Sequence, residues 1–120
     1  MPKALNELEI YILAEYLSNQ IWEIVKKWNY FDKDTIVKQL VRSVDSIGAN
    51  IAECHGRYHY RDKQKFGYYA RGSLEETKSW LRKSHHRNLL KEHEIDLINI
   101  HLRKIGPKLN SFIKALGNHK

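Results

Sequence analysis

The sequence has little of what staples or breaks regular structure: one cysteine, two prolines and six glycines in 120 residues. The single cysteine, Cys54, cannot form an internal disulfide. A disulfide-stabilised secreted scaffold is therefore excluded, and a reducing cytoplasm is expected. The low content of proline and glycine excludes collagen-like and low-complexity chains.

Long apolar runs are also missing. No stretch approaches the roughly 18 residues that a membrane-spanning helix needs, and the N-terminus has no apolar segment of the signal-peptide type. Since 42% of the residues are hydrophobic, the chain can still bury a core. Its length is typical of one domain, which we predict to span residues 1–120.

Apolar residues recur at spacings of three and four almost throughout, which is the helical period. This pattern predicts four helices, at about residues 4–29, 34–55, 61–87 and 92–116. Because long helices with short connections must fold back on one another, we expect an all-α protein. The predicted architecture is an antiparallel, up-down-up-down four-helix bundle.

Local signals place the ends of these helices. Asp32 or Asp34 can cap the second helix, and Gly56 stands where a left-handed residue would end it. Asn88 is a plausible stop for the third helix. In the fourth, Pro107 predicts a kink, after which the apolar pattern indicates that the helix resumes.

Positive charge is concentrated in the middle third of the chain. The formal net charge is +7. Residues 57–91 hold ten Lys and Arg against three Asp and Glu, whereas the segments before and after them carry −2 and +2. This distribution predicts an acidic partner such as a nucleic acid, an anionic membrane surface or an acidic protein, with a merely solubilising surface as the alternative.

Basic and aromatic residues alternate in this region, with Tyr58, Tyr60, Tyr68 and Tyr69 among the cations. Such interleaving suits RNA, because cations contact phosphates and aromatic faces stack on unpaired bases. Alternatively, the tyrosines pack into the core and against loops. The predicted phosphate contacts are Arg57, Arg61, Lys63, Lys65, Arg71, Lys78, Arg82, Lys83 and Arg87.

Polar residues flank the core stripe of the second helix and recur at the edge of the third. Buried or half-buried polar groups need partners, so we predict a polar seam between these helices or a subunit contact; ordinary solvated boundary positions are the alternative. The residues concerned are Arg42, Ser46, Asn50, Glu53, Ser73 and Glu76.

Three glycines, Gly48, Gly67 and Gly72, lie inside predicted helices. Glycine costs about 1 kcal/mol there relative to alanine. The cost predicts a close approach of another backbone, from within the chain or from a second subunit.

Catalytic and metal motifs are weak. We expect Cys54 to be a small buried hydrophobe rather than a reactive thiol, and the seven histidines form no recognisable zinc set. No cofactor is predicted. Arg87 and His93 match the loose Arg-to-His spacing of ribonucleases of the HEPN class, but a single such match is what chance gives.

The second and third helices carry an ordered set of short motifs. Residues 46–53 read Ser-Ile-Gly-Ala-Asn-Ile-Ala-Glu, residues 56–57 read Gly-Arg, and residues 72–76 read Gly-Ser-Leu-Glu-Glu. The set resembles that of the 23S rRNA intervening-sequence proteins. The chain departs from the family pattern at Cys54, where glycine is usual, and lacks the proline often found before the second helix.

This resemblance implies a basic four-helix bundle that forms ring-like homopentamers. Members are often encoded within bacterial 23S rRNA genes, and a relative is the accessory variability determinant of diversity-generating retroelements, which partners a reverse transcriptase. The resemblance implies no enzyme activity. We therefore expect a non-enzymatic RNA- or nucleic-acid-binding homo-oligomer. The alternatives are an adaptor that docks an acidic protein and, less favoured, a ribonuclease.

Overall fold

Four long helices make up most of the chain in the computed structural model, which describes residues 3–118. They are α1 (Glu9–Val25), α2 (Lys38–Gly56), α3 (Tyr60–His86) and α4 (Glu92–Gly117). A 3₁₀ turn, Leu5–Glu7, precedes α1, while a helical turn, Tyr30–Asp32, and a π-helical turn, Lys33–Val37, lead into α2. Residues 3–118 contain no strand, so the all-α class and the four helices are confirmed.

Each long helix packs against two others. α1 contacts α2 and α4, and α3 contacts the same two helices. The molecule is 48 Å long and 21–25 Å across. Its core contains the apolar stripes predicted from the helical period, and burying each such aliphatic side chain contributes about 1.5–3 kcal/mol. The fully buried aliphatic residues include Leu17, Ile21, Leu40, Ile47, Ile51, Leu74, Ile105 and Leu109.

The core face of α3 is poor in large apolar side chains. Ala70, Thr77 and Ser84 are completely buried there, as expected from their helical spacing. Leu74 and Leu81 are the large apolar side chains that are also buried on this helix. Small and hydroxylated residues let α2 approach α3 closely, and these two helices form the most extensive contact of the fold.

α1 ends at Val25, four residues before the predicted end. The chain turns because Asn29 is extended and its side-chain oxygen accepts a hydrogen bond from the Asp32 amide at 2.9 Å. Asn29 thus begins the next helical segment, in the role predicted for Asp32 or Asp34. In the π-helical turn that follows, the Thr35 hydroxyl donates to the Phe31 carbonyl at 2.8 Å.

The C-terminus of α2 differs from the predicted glycine cap. Gly56 is the last helical residue and does not have a positive φ, and Arg57 is extended. The carbonyls left without intrahelical donors are instead satisfied from α3. The Lys63 ammonium donates to the Cys54 carbonyl at 3.3 Å and to the His55 carbonyl at 3.2 Å, which also places positive charge at the negative end of the helix.

Asn88 ends α3, as its sequence position predicts. Its φ is 61°, in the left-handed region. The Leu89 amide donates to the Ser84 carbonyl at 2.9 Å, and the Asn88 amide donates to the His85 carbonyl at 3.0 Å. This pair of bonds is the Schellman motif, which satisfies the last carbonyls and turns the chain toward α4.

α4 continues through Pro107 to Gly117, so the predicted resumption of the helix is confirmed. The Lys108 ammonium lies 2.8 Å from a Glu9 carboxylate oxygen and joins α4 to α1. That hydrogen bond and charge hold the pKa of the Glu9 carboxyl below its ordinary value. Within residues 3–118, no helix combines the length and apolar character that crossing a membrane requires.

The interior glycines have different surroundings. A Cβ at Gly67 would lie 2.9 Å from Cγ1 of the buried Ile113, and one at Gly48 would meet the Glu15 carboxylate. Close packing within the chain therefore accounts for Gly67, although the neighbour is a side chain and not the predicted backbone, whereas the flexible end of Glu15 can move away from a Cβ at Gly48. A Cβ at Gly72 would meet no atom within 4 Å, so packing within the chain does not explain this position.

Candidate nucleic-acid interface

The predicted phosphate contacts lie along α3 and at its two ends. The side chains of Arg61, Lys65 and Arg71 are exposed, and so are those of Arg82 and Lys83. Arg57 and Arg87 are exposed in the connections before and after the helix. Lys63 and Lys78 are half-buried. A helix of 27 residues thus displays cations over roughly 40 Å, at 1.5 Å per residue. We call these nine residues the basic surface.

Several of these cations lie over aromatic rings. The Arg57 guanidinium is 4.5 Å from the centre of the Phe66 ring, and that of Arg71 is 4.9 Å from the centre of Tyr68. The Lys65 and Lys83 ammonium groups lie 5.8 Å from the rings of Tyr69 and Trp80 respectively. The interleaving seen in the sequence therefore places cations on ring faces, which restricts their side chains.

Three cations of the basic surface already have polar partners. Lys63 binds the end of α2, as described above. The Arg57 guanidinium lies 3.0 Å from the Glu53 carboxylate, and the Lys78 ammonium lies 3.3 Å from the Glu75 carboxylate. Both ion pairs lie at the surface. Exposed pairs contribute about 0–1 kcal/mol, so Arg57 and Lys78 can exchange a carboxylate for a phosphate. Lys63 is held for a structural purpose and is the weakest candidate of the nine.

A groove of about 640 Å³ lies between the C-terminal half of α3 and α4. The wall formed by α3 includes Lys78, Arg82 and His85. The wall formed by α4 includes Arg103, which is also positively charged. Its floor is apolar and includes the buried Leu81 and Ile98. None of its lining residues, all between 78 and 110, carries a carboxylate. We call this feature the α3–α4 groove.

A second depression, of about 750 Å³, adjoins the groove at the turn between α3 and α4. It shares Arg82, His85 and Leu90 with the groove and adds further basic residues, among them Lys83 and Arg87. Its one carboxylate is that of Glu92, which lies 3.5 Å from His85 Nε2. Positive charge therefore continues from the groove around the end of α3.

The contribution of α4 to this surface was missed in the sequence. Asn99, Arg103 and Asn110 line the groove, and they lie four and then seven residues apart. That spacing is helical and would have placed them on one flank of the apolar stripe. The flank could be recognised from the sequence, but its position opposite α3 depends on how the helices pack.

Hydroxyl and amide groups connect α2 to α3. The Asn50 amide nitrogen lies 3.4 Å from the Ser73 hydroxyl and also donates to the Ser46 carbonyl at 2.9 Å. Deeper in the contact, the Thr77 hydroxyl lies 3.1 Å from the Ser43 hydroxyl, and both residues are buried. Asn50 and Ser73 thus meet across the two helices, and Ser43 and Thr77 extend the contact into the core.

The remaining predicted seam residues make local contacts. The Ser46 hydroxyl donates to the Arg42 carbonyl at 2.7 Å within α2. Glu53 pairs with Arg57, and the Glu76 carboxylate accepts from the Trp80 indole nitrogen at 3.1 Å. The side chains of Arg42, Glu53 and Glu76 are exposed, so they lie at the edge of the helix contact.

Cys54 and His101 are shielded from solvent by the surrounding helices, Cys54 almost completely and His101 in part. Cys54 is 1% exposed, and burial raises the pKa of its thiol, which leaves it a packing residue. His101 contacts the Tyr16 ring edge-on at 4.6 Å, and burial, with a smaller contribution from Lys104, lowers its pKa. No cluster of three or more His, Cys, Asp and Glu side chains in residues 3–118 could hold a metal ion.

The Arg87 and His93 side chains are both exposed at the turn between α3 and α4. Arg87 follows the end of α3, and His93 lies in the first turn of α4. Arg87 lines the second depression, whose lining does not include His93. Neither residue is buried in a pocket that would exclude water from a reacting phosphate.

Comparisons with known proteins identify a family and solved structures of similar fold. The model of the family described as 23S rRNA-intervening sequence protein matches residues 6–111. A crystal structure of a protein of unknown function from Bacteroides thetaiotaomicron VPI-5482, ascribed to the S23 ribosomal protein family, is 25% identical in sequence. The match covers 88% of this chain and 93% of that chain, with a TM-score of 0.66. Comparison with curated proteins finds no match.

Proposed function

The chain belongs to the 23S rRNA-intervening sequence protein family, and on that premise we propose that it binds RNA or another nucleic acid without acting as an enzyme. The family predicted from the motifs of α2 and α3 is confirmed by this match. The names of the family and of the Bacteroides protein refer to ribosomal RNA and to the ribosome. Among the acidic partners that a positively charged surface could bind, these names favour RNA.

The observation that carries the proposal is the continuity of positive charge from α3 into the α3–α4 groove. Arg71, Lys78 and Arg82 lie on one face of α3, and Arg82 also lines the groove, where no carboxylate offsets it. Lys and Arg side chains that neutralise phosphates release the counterions condensed on the nucleic acid, and this release supplies essentially all of the affinity of non-specific binding. We expect recognition of backbone and shape rather than of base sequence.

We further propose an up-down-up-down bundle that assembles into a homo-oligomer, with the pentamer implied by the family resemblance. Short connections between long helices support the antiparallel order. Exposed apolar side chains of α1 and α4 support assembly: Ile12, Tyr16, Leu97 and Ile100 are each 42–50% exposed. Assembly would multiply the basic surface and raise avidity. Light scattering measures the subunit number, and a monomer would contradict this part of the proposal.

Fluorescence anisotropy tests nucleic-acid binding directly. Labelled probes would be a structured rRNA hairpin, a single strand and a DNA duplex, each titrated at several salt concentrations. We expect binding to the hairpin that weakens steeply as salt rises, because each phosphate contact contributes about 0.7–0.9 to the log–log slope. A residual preference for one probe at high salt would indicate selectivity for that nucleic acid.

The alternatives make different predictions. Absence of binding at low salt would remove the proposal and favour an adaptor whose basic surface docks an acidic protein. Cleavage of the RNA probes, lost in a folded His93→Ala variant, would favour the ribonuclease. Intact probes after prolonged incubation support a protein that binds RNA without cleaving it. We expect it to act in a reducing cytoplasm, because it has a single cysteine.

A further inference from the structure

The α3–α4 groove combines an apolar floor with a cationic rim, an arrangement that phosphate binding alone does not need. We propose that the groove holds an unstacked base of a single-stranded nucleic acid while the cations of its rim hold the neighbouring phosphates. This inference rests on the proposed function and adds a defined contact to it.

The floor supplies the apolar contact. Leu81, Leu90 and Ile98 are 7%, 8% and 3% exposed, so the core holds this part of the floor in place although little of it is accessible. The half-buried Ile95 and Leu102 complete it. The volume of about 640 Å³ is within the range of sites for small organic ligands, about 300–1,000 Å³. A nucleobase presents a flat apolar face that can cover such a floor.

The rim supplies the charge. Arg82 and Arg103 are exposed on the two walls of the groove. Lys78 and His85 add to the α3 wall, and the carboxylates that they contact belong to Glu75 and Glu92, which do not line the groove. Because cations stand on both walls, phosphates on either side of an inserted base would meet positive charge.

Amide groups lie at the α4 wall. Asn99 and Asn110 are exposed and line the groove. An amide both donates and accepts hydrogen bonds, as the edges of nucleobases do. Two flexible amides can contact any of the bases, so we expect a base to be required without a strong choice among the bases.

Continuity with the second depression favours a nucleic-acid chain over an acidic peptide. Lys83 and Arg87 extend the charge beyond the groove, and they belong to the basic surface to which we assign phosphates. A strand that follows this surface therefore carries its bases past the groove. Single-strand binding proteins combine a positive path with contacts to base faces, which are usually aromatic; here the aliphatic floor would take that place.

The test compares two probes that have the same phosphates. One is a short oligoadenylate RNA, and the other is an abasic chain of equal length and charge. We expect the wild-type protein to bind the RNA at least about fivefold more tightly, since about that factor is gained for every ~40 Å² of apolar surface that the base removes from water on the aliphatic floor. Binding would be measured by anisotropy of the labelled probes at one fixed salt concentration.

Two variants fill the groove without changing charge. Gly106 lines it, and a Cβ there meets no atom within 4 Å. Because Gly106 precedes Pro107 inside α4, folding of Gly106→Leu is checked by circular dichroism; the folded variant should lose the preference for the RNA while binding of the abasic chain stays unchanged. Asn99→Leu, at an exposed position of the α4 wall, should also remove the preference for the RNA. Gly56→Leu is the control, because Gly56 also has open space but lies outside the groove.

The outcomes separate this inference from the proposed function. Equal binding of both probes by the wild type overturns the groove assignment and leaves phosphate binding intact. A preference that survives in both filled variants, folded by circular dichroism, also overturns it. Absence of binding to either probe overturns both proposals. Tighter binding of an acidic amphipathic peptide than of oligoadenylate, lost in both filled variants, would assign the groove to a protein partner and overturn the inference.

Discussion

Single residues of the basic surface differ in what their charged ends already contact. Lys63 is engaged by two carbonyls at the end of α2, whereas Arg71 lies over an exposed tyrosine and is open to solvent. Lys63 and Arg71 contribute equally to the net charge. Only Arg71, however, can bind a phosphate without giving up hydrogen bonds to the end of α2. The sequence therefore predicts that this surface is positively charged, but it does not predict which of its residues are free to bind a phosphate.

The glycines of α3 provide a matched pair at the residue scale. Gly72→Ala should raise the free energy of unfolding by about 0.5–1 kcal/mol, because alanine is the better helix former and its Cβ meets open space. Gly67→Ala should lower it by about 1 kcal/mol, because its Cβ would press on the buried Ile113 and overpacking costs about 1–3 kcal/mol. Chemical denaturation of both variants measures the difference.

Each variant serves as the control for the other, since both add one methyl group to the same helix. Equal effects would contradict the packing described here. A Gly72→Ala variant that loses stability together with its oligomeric state would instead place Gly72 against a second subunit, the alternative that its sequence position leaves open.

At the scale of helices, the polar contact between α2 and α3 fixes how these elements meet. Ser43→Ala and Thr77→Val should each cost about 1 kcal/mol, because each leaves the hydroxyl of the other residue buried with one partner fewer. The double variant should lose less stability than the sum of the two single losses, with a difference of about 0.5 kcal/mol or more. A double-mutant cycle from urea denaturation gives this coupling.

Ser46→Ala is the comparison, since its hydroxyl bonds within α2 alone. We expect it to change stability by no more than about 0.5 kcal/mol. Strictly additive effects of the Ser43 and Thr77 substitutions would mean that the two hydroxyls do not stabilise the helix contact together.

The sequence predicts these helices well where one strong signal acts and less well where several compete. The apolar period locates α3 and α4 to within one residue at each end, and Asn88 ends α3 as expected. The end of α1 was placed too late, because Trp28 continues the apolar period while Asn29 starts the next segment. The π-helical turn, Lys33–Val37, is too short to show a repeating apolar pattern that would predict it from the sequence.

At the scale of the molecule, function depends on what packing brings together. The concentration of charge in residues 57–91 is visible in the sequence, but the α3–α4 groove is not. Its apolar floor comes from side chains that any helical pattern assigns to the core, and Arg103 joins its rim from a segment with little net charge. Only the arrangement of α3 beside α4 makes these residues one surface.

The most direct test of the central claim is the salt dependence of RNA binding in two variants of equal charge. Arg71→Gln combined with Arg82→Gln removes two cations from α3, and Lys27→Gln combined with Lys33→Gln removes two exposed cations from the connection between α1 and α2. We expect the first pair to weaken binding and reduce the log–log salt slope by about 1.5, and the second to leave the slope near that of the wild type. Equal losses in both variants, or no loss in either, would contradict an RNA interface on α3.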